Sequence, residues 1–576
     1  MNLERLQRRI AAGRGQEACD LLITNCRIVN VFTGEILPGA IAICDDRIVA
    51  AGAVCEDYPR KDSYDAKHSY ATPGLIDSHI HIESTMLHPA EFARYAVATG
   101  TTQVHWDPHE IANVAGRQGI AWAFSCTEKL PLDVYISLSS CVPATPLETS
   151  GAQLELDDLA IFFNHTRCAA LAEMMNFPGV LSGDEGLLAK MHSATEQCLP
   201  LDGHCPQLRG KDLQGYIAAG IGSDHESVAA DEAWEKVSSG LHIFLREGSA
   251  AQNLKALAGI AGRVPHRCSL CSDDRSPSDL LIHGHMDHIL RLAVSYGLDP
   301  IQCLQMATLN AARYFGMRDV GAIAPGYVAN IALFDSLENL AALAVFHRGV
   351  LVAEDRRYIG PPMASAEPVA LHSVKLPPLS AASFEMPVQG SQANVIGLIR
   401  RQIVTRHLVE AVRETNGRFV SDTSNDIIKL AVVERHGRGG SIGLGLVKGF
   451  GLQCGAIAST IAHDSHNLII VGVTDTDMLA AAQHIAEIGG GCCVVNRGQV
   501  LAALPLPLGG LMSQDAAPDV ARLHEDVEKA AASIGCRADS PLMALSFLAL
   551  APIPALKLTD LGLVDVQRFQ QAPVFF

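Results

Sequence analysis

Long apolar runs are missing from this chain of 576 residues. The longest uncharged stretches, near Gly498–Gln514 and Ser540–Leu556, are interrupted by proline and read as loops and buried elements, which argues against a spanning helix. A basic surplus is missing too. Lys and Arg number 44 against 62 Asp and Glu, a net charge of −18, which disfavours a nucleic-acid or anionic-membrane partner. Paired CxxC clusters of zinc-ribbon type are absent, and the sixteen Cys are scattered. The opening MNLERLQRRIAAGRG has no apolar core of a secretory signal. Free thiols in a reducing cytoplasm are therefore expected. Low-complexity tracts are lacking as well. What remains is 48% hydrophobic and 18% charged, enough for large cores and for about three domains.

The grammar of the text changes along the chain. Leu3, Leu6 and Ile10 suit a short amphipathic helix. From Cys19 to Ala71, β-branched runs cut by Gly, Asp and Asn predict a small antiparallel β unit. From Pro73 to about Phe315, strand-like runs alternate with helix-like ones, the pattern of a parallel α/β fold. Its length is near the roughly 250 residues of an eight-stranded barrel. A doubly wound sheet competes, but the turn after the first strand reads DSHIHIEST and lacks the glycine-rich phosphate loop. Strand-like text returns at Gly321. The expected fold is a (β/α)8 barrel at 73–316, a discontinuous β-sandwich at 1–72 plus 317–360, a linker at 361–392, and a C-terminal α+β domain at 393–576.

His79 and His81 lie in the first expected barrel strand, two apart and so on one face. With 23 His in the chain, about one such pair arises by chance, and His283/His285 is a second. Spacing alone is weak evidence. Order along the barrel is stronger. Glu173, His204, His225 and Asp273 follow at strand-to-loop transitions of later β/α units, where barrel active sites form. Four His with two carboxylates suit a site for two metals, Mn, Fe(II) or Zn, that can share a hydroxide near neutral pH. Each residue alone has a plainer reading: Glu173 as an ion-pair partner, a lone His as a hydrogen-bonded core residue, Asp273 and Asp274 as helix caps. Asp107-Pro108-His109-Glu110 is a loop motif that lines the pocket, binds a further metal, or is only a rigid turn. His463 and His466 share a helix face or sit in a loop at the barrel mouth. The Gly-rich RHGRGGSIGLGLVKGFG lacks GxxxxGK[ST] and reads as turns.

PGLIDSHIHIEST resembles the first barrel strand of the amidohydrolase superfamily, and ATLNAARYFG with GAIAPGYVANIALFD resembles its return into the β domain. DPHEIANVAG, LAEMMNFPGVLSG, LDGHCPQLRGK, CSDDRSP, IAHDSHNLIIVG and LPLPLGGLMS are similar to segments of the bacterial adenine deaminase family, over roughly Cys19 to Leu563. The resemblance implies hydrolytic conversion of adenine to hypoxanthine and ammonia in purine salvage. It implies metal ligation by His79, His81, Glu173, His204, His225 and Asp273, with Glu173 where other members carry a carbamylated Lys. Asn330 departs from the superfamily's usual Asp in the return strand, and a structural adjustment is expected there. Asp273 is expected to shuttle the proton, Glu226 or Glu110 to supply one to the purine ring, and Asp274, Glu110 and His109 to bind substrate. Two divalent ions, a small-molecule substrate, a cytoplasmic homo-oligomer, and no nucleic-acid or membrane partner complete the expectation. A dihydroorotase- or hydantoinase-type ring opener is the alternative, and a scaffold without catalysis is a third reading. Lys at 173 would favour the ring opener, and loss of a ligand would favour the scaffold.

Overall fold

The computed structural model describes residues 3–363 and 367–576. Helix α1 (Leu3–Gly13) comes first, with Leu3, Leu6 and Ile10 facing solvent and Arg8 and Arg9 held by Asp20, Asp45 and Asp46. Five strands follow: β1 (Cys19–Asn30), β2 (Glu35–Cys44), β3 (Arg47–Gly52), β4 (Arg60–Asp65) and β5 (Tyr70–Pro73). β1 pairs antiparallel with β2 but parallel with β4 and β5, so the expected antiparallel unit is in fact mixed. The short turn Ala53–Cys55 and the loop after it carry the chain back to the start of β1, so β4 runs with β1.

Eight strands then alternate with helices. They are β6 (Leu75–Ile80), β7 (Thr101–Trp106), β8 (Asp133–Leu138), β9 (Cys168–Met174), β10 (Leu201–Gly203), β11 (Ser223–Asp224), β12 (His242–Arg246) and β13 (Cys268–Cys271). Pairing is parallel within β6–β10 and within β11–β13. Parallel bridges Leu201↔Ile221 and Ile80↔Asp273 join the two arcs into a closed barrel. The strands are nearly all buried, as strands covered on both faces must be. The Asp184 and Asp299 side chains cap the helices that follow them, and Ser276, not Asp273 or Asp274, caps Pro277–His283.

After the barrel, β14 (Ile331–Phe334) pairs with β5, and β15 (Ala342–His347), β16 (Val350–Glu354) and β17 (Arg357–Tyr358) extend the same sheet. The sheet folds over itself: Tyr64 of β4 meets Phe346 of β15, and one apolar core joins Ile23, Ile41, Ile331 and Phe346.

The stretch expected as a linker is largely exposed or half-buried where it is described, with Phe384 and Met386 its buried side chains; residues 364–366 lie outside the described set. Phe384 is buried under the C-terminal sheet, an apolar side chain carried within the Pro- and Ala-rich text, while the exposed Leu371 is tied to Leu508 by a backbone bridge. That sheet has eight strands between Gln392–Gly397 and Gln499–Pro505. Its central strand Ile427–Val433 alternates as a two-sided strand should. Leu430 and Val432 join the large core shared with the barrel, while Ala431 and Val433 pack beneath the helix Asp475–Glu487. Among the described residues no helix is long and apolar enough to cross a membrane.

Candidate metal centre

The six expected ligands converge at the C-terminal rim of the barrel, and all are buried. His79 is the penultimate residue of β6 and His81 follows the strand, their rings 4.7 Å apart, and His79 stacks on His225 at 4.3 Å. Glu173, near the end of β9, is central. Its Oε1 lies 3.2 Å from His81 Nε2 and 3.7 Å from His79 Nε2. Its Oε2 lies 3.2 Å from His225 Nε2 and accepts a short hydrogen bond from His204 Nδ1. Asp273 closes the ring, 3.4 Å from His81 and 3.7 Å from His225.

The barrel braces these positions. Tyr216 donates to the Met174 carbonyl and accepts from the His204 amide, tying β9 to β10. The buried Lys236 ammonium donates to Cys205 O at 2.7 Å and Asp224 Oδ2 at 3.0 Å, so one cation fixes the neighbours of both His204 and His225. Asp77 of β6 accepts from the Ser272 amide at 3.0 Å and from its hydroxyl, which aligns His79 with Asp273. His285 lies 3.0 Å from Asp77, so half of the second HxH pair is a buried support for the seam, whereas His283 is half exposed.

Several buried polar atoms have no hydrogen-bond partner here: His79 Nε2, His109 Nε2, Glu173 Oε1, His204 Nε2, His463 Nε2 and Asp464 Oδ2. Leaving such atoms unpaired is costly. Sets of three or four of these groups could hold an ion, including His79-His225-Asp273, Glu173-His204-His225 and His81-Asp107-His109-Glu173. The residues present therefore fit divalent metal.

Charge is distributed to match. Burial disfavours the Glu173 and Asp273 anions, yet His204 and His225 around Glu173, and Arg246 with His225 beside Asp273, hold both carboxyls well below the usual range. Burial and the neighbouring His225 push the His79 imidazole well below its ordinary value. Asp274 goes the other way, pushed up to about 6 by burial and the Asp273 charge.

The other expected site residues divide. His109 joins the cluster, its Nδ1 3.3 Å from Glu173 and 3.1 Å from Asp107. Both oxygens of Glu226 accept from Arg246, which also donates to Asp273 at 2.7 Å. Glu226 thus orients the guanidinium that holds Asp273. Ser84 Oγ lies 2.9 Å from Glu110 Oε1 and close to Asp274 Oδ1. Residues 460–467 form a turn and no helix; there Asp464 reaches His109 at 3.4 Å, and His463 lies 3.8 Å from Glu110. Arg246 escaped the sequence reading, although a charge ending the apolar HIFLR is a signal. Ile403, Phe547 and Leu550 also line the site, and nothing in their local sequence distinguishes them.

Comparison with known proteins places this geometry. Residues 70–353 match the amidohydrolase family and residues 402–570 match the adenine deaminase C-terminal domain. Adenine deaminase 2 of Carboxydothermus hydrogenoformans is 45% identical over 97% of this chain and 98% of its own length. The adenine deaminases of Desulfatibacillum aliphaticivorans and Cereibacter sphaeroides are each 44% identical over 98% of this chain and 99% of theirs. The chain belongs to the adenine deaminase family. The candidate metal cluster sits on the barrel within the amidohydrolase match, and the stretch that matches the adenine deaminase C-terminal domain supplies His463 and Asp464 to its edge.

Proposed function

We propose that this chain hydrolyses adenine to hypoxanthine and ammonia. One observation carries the reading: a carboxylate, Glu173, sits among five imidazoles, from His79, His81, His109, His204 and His225, where ring-opening relatives would need lysine. His79, His81, Glu173, His204, His225 and Asp273 would hold two divalent ions, Mn(II) or Fe(II) by ligand type, with Zn(II) also compatible. Bound there, the ions lower the pKa of water and so supply a nucleophile near neutral pH.

The chain's own groups do the rest. Asp273, kept ionised by Arg246, accepts the proton of the attacking water and returns it to the amino nitrogen leaving C6. Ser84 Oγ reaches both Glu110 and Asp274, and Asp274, pushed up to about 6 by burial and the Asp273 charge, is the carboxyl able to hold a proton near neutral pH. That carboxyl gives its proton to the ring nitrogen as the water adds, and recovers one from the C6 hydroxyl as the carbonyl forms and ammonia leaves. His109 steadies Glu173 and Asp107. We read the chain as the divided β domain at 1–72 plus 317–360, barrel at 73–316, connector at 361–392 and C-terminal domain at 393–576. It works in the cytoplasm in purine salvage, with a small-molecule substrate and no nucleic-acid or membrane partner. The exposed Leu3, Leu6 and Ile10 of α1 suit a homo-oligomer.

Protein loaded with Mn(II) or Fe(II) should convert adenine to hypoxanthine, read by the ultraviolet shift and ammonia release. Asp273→Asn should keep the metal and lower kcat by about 10²–10⁴. Turnover of dihydropyrimidines or hydantoins with none of adenine would overturn the assignment.

A further inference from the structure

Two cavities meet at the rim of the barrel. The inner one is lined by the candidate metal cluster, by His463 and Asp464, and by Met175, Ile403, Phe547 and Leu550. The outer one, about 450 Å³, is lined by Ser249, Arg400, Gln402, Asp539 and Ala544 among others. Among the described residues, Ile403 and Phe547 are the two that line both. They form a partition. Both are buried, and with Met543, Leu550, Ile553 and Ala251 they make a small apolar core of their own. Their backbones are clamped by one amine: Lys557 Nζ donates to Ile403 O at 2.7 Å and to Phe547 O at 2.8 Å. On the inner side the Phe547 ring lies nearly parallel to His463, with centroids 4.9 Å apart.

The chemistry of a purine gives this partition a meaning. C6 and N9 lie on opposite edges of the base. With C6 presented to Glu173 and Asp273, N9 points away from those carboxylates, and Ile403 and Phe547 line both the space the base would fill and the outer cavity. A free base ends there in a hydrogen, while a nucleoside carries a pentose. The outer cavity has room for a pentose, and its Ser, Gln and Asp side chains could bond sugar hydroxyls.

We propose that Ile403 and Phe547 restrict the site to free 6-aminopurines by walling off the space that an N9 ribosyl group would occupy, and that the outer cavity is that space. This rests on the deaminase reading and assigns its specificity to two residues outside the barrel.

The test compares wild type, Phe547→Ala, Ile403→Ala and the double variant Phe547→Ala/Ala544→Trp, all metal-loaded, on adenine and adenosine. Wild type should favour adenine strongly. Either single truncation should raise the adenosine-to-adenine ratio of kcat/KM by about tenfold or more. Ala544 lines the outer cavity and not the inner one, so Trp at that position should cancel the gain and spare adenine. Inosine titrated calorimetrically should bind the truncated proteins and not wild type. Truncating a buried Phe weakens packing, so metal content and melting temperature are checked, and Ile403→Ala decides if Phe547→Ala does not fold. An unchanged ratio in a folded variant, comparable wild-type turnover of adenosine, or a gain that survives Ala544→Trp overturns the wall. A wild type inactive on adenine overturns the deaminase reading instead.

Discussion

Asn330 carries a neutral amide where the superfamily's return strand usually has a carboxylate, and its neighbours give the reason. Its Nδ2 donates to Asp133 Oδ2 at 2.9 Å, and its Oδ1 accepts the Arg348 amide at 2.8 Å. A carboxylate at 330 would face a second one; the amide joins the β domain to the start of a barrel strand without repulsion. Lys557 is the reverse case, a cation where none is expected. Burial brings its ammonium down to about 7, against about 10.4 for an exposed lysine. Between those values the unfolded chain binds a proton that the folded chain does not, so this residue makes stability rise from about pH 7 to pH 10. Lys557→Met should flatten that rise. Denaturant unfolding of both proteins at pH 7 and pH 9.5 measures it, and an equal slope in the two would remove Lys557 as the cause.

Elements were readable in proportion to how local their signal is. The barrel strands stood out as apolar runs bounded by Gly and Pro, and the six proposed ligands were read from their strand-to-loop transitions together with the family resemblance. β10 and β11 are only three and two residues long, yet His204 and His225 marked them. The parallel pairing of β4 and β5 with β1 was not legible, because side-chain alternation fixes faces and leaves strand direction open. Phe384 was lost among prolines and alanines for a similar reason: its partners are far away in sequence. The seam between β6 and β13 rests on Asp77, which receives Ser272 from across the gap. Asp77→Ala leaves those donors unpaired in a buried place, at a cost of about 1–3 kcal/mol each. It should lower the melting temperature and the metal content together. A lower melting temperature with full metal occupancy would separate the seam from the site.

For the molecule as a whole, the cluster draws on both the barrel and the C-terminal domain through His109, Asp464 and His463. Metal is thus expected to stabilise the two together by mass action on the folded state. Stripping it with a chelator should lower the calorimetric melting temperature by several degrees, and restoring Mn(II) or Fe(II) should recover it. The contribution of the C-terminal domain was hardest to foresee. His463 and His466 drew notice as a pair that could sit at the barrel mouth, but Ile403, Phe547 and Lys557 acquire their roles only from the approach of segments some 150 residues apart in sequence.

The sheet that embraces both flanks of the barrel also has a history in time. β5 finds its partner β14 only after the whole barrel has been made, from position 73 to position 331. At ribosomal speeds of about 5–20 residues per second, that interval is roughly ten to fifty seconds. Through it the nascent chain carries an unfinished β edge and half a core. Folding in the cell is therefore paced by synthesis at this point, and the first strands to emerge are among the last to be sealed.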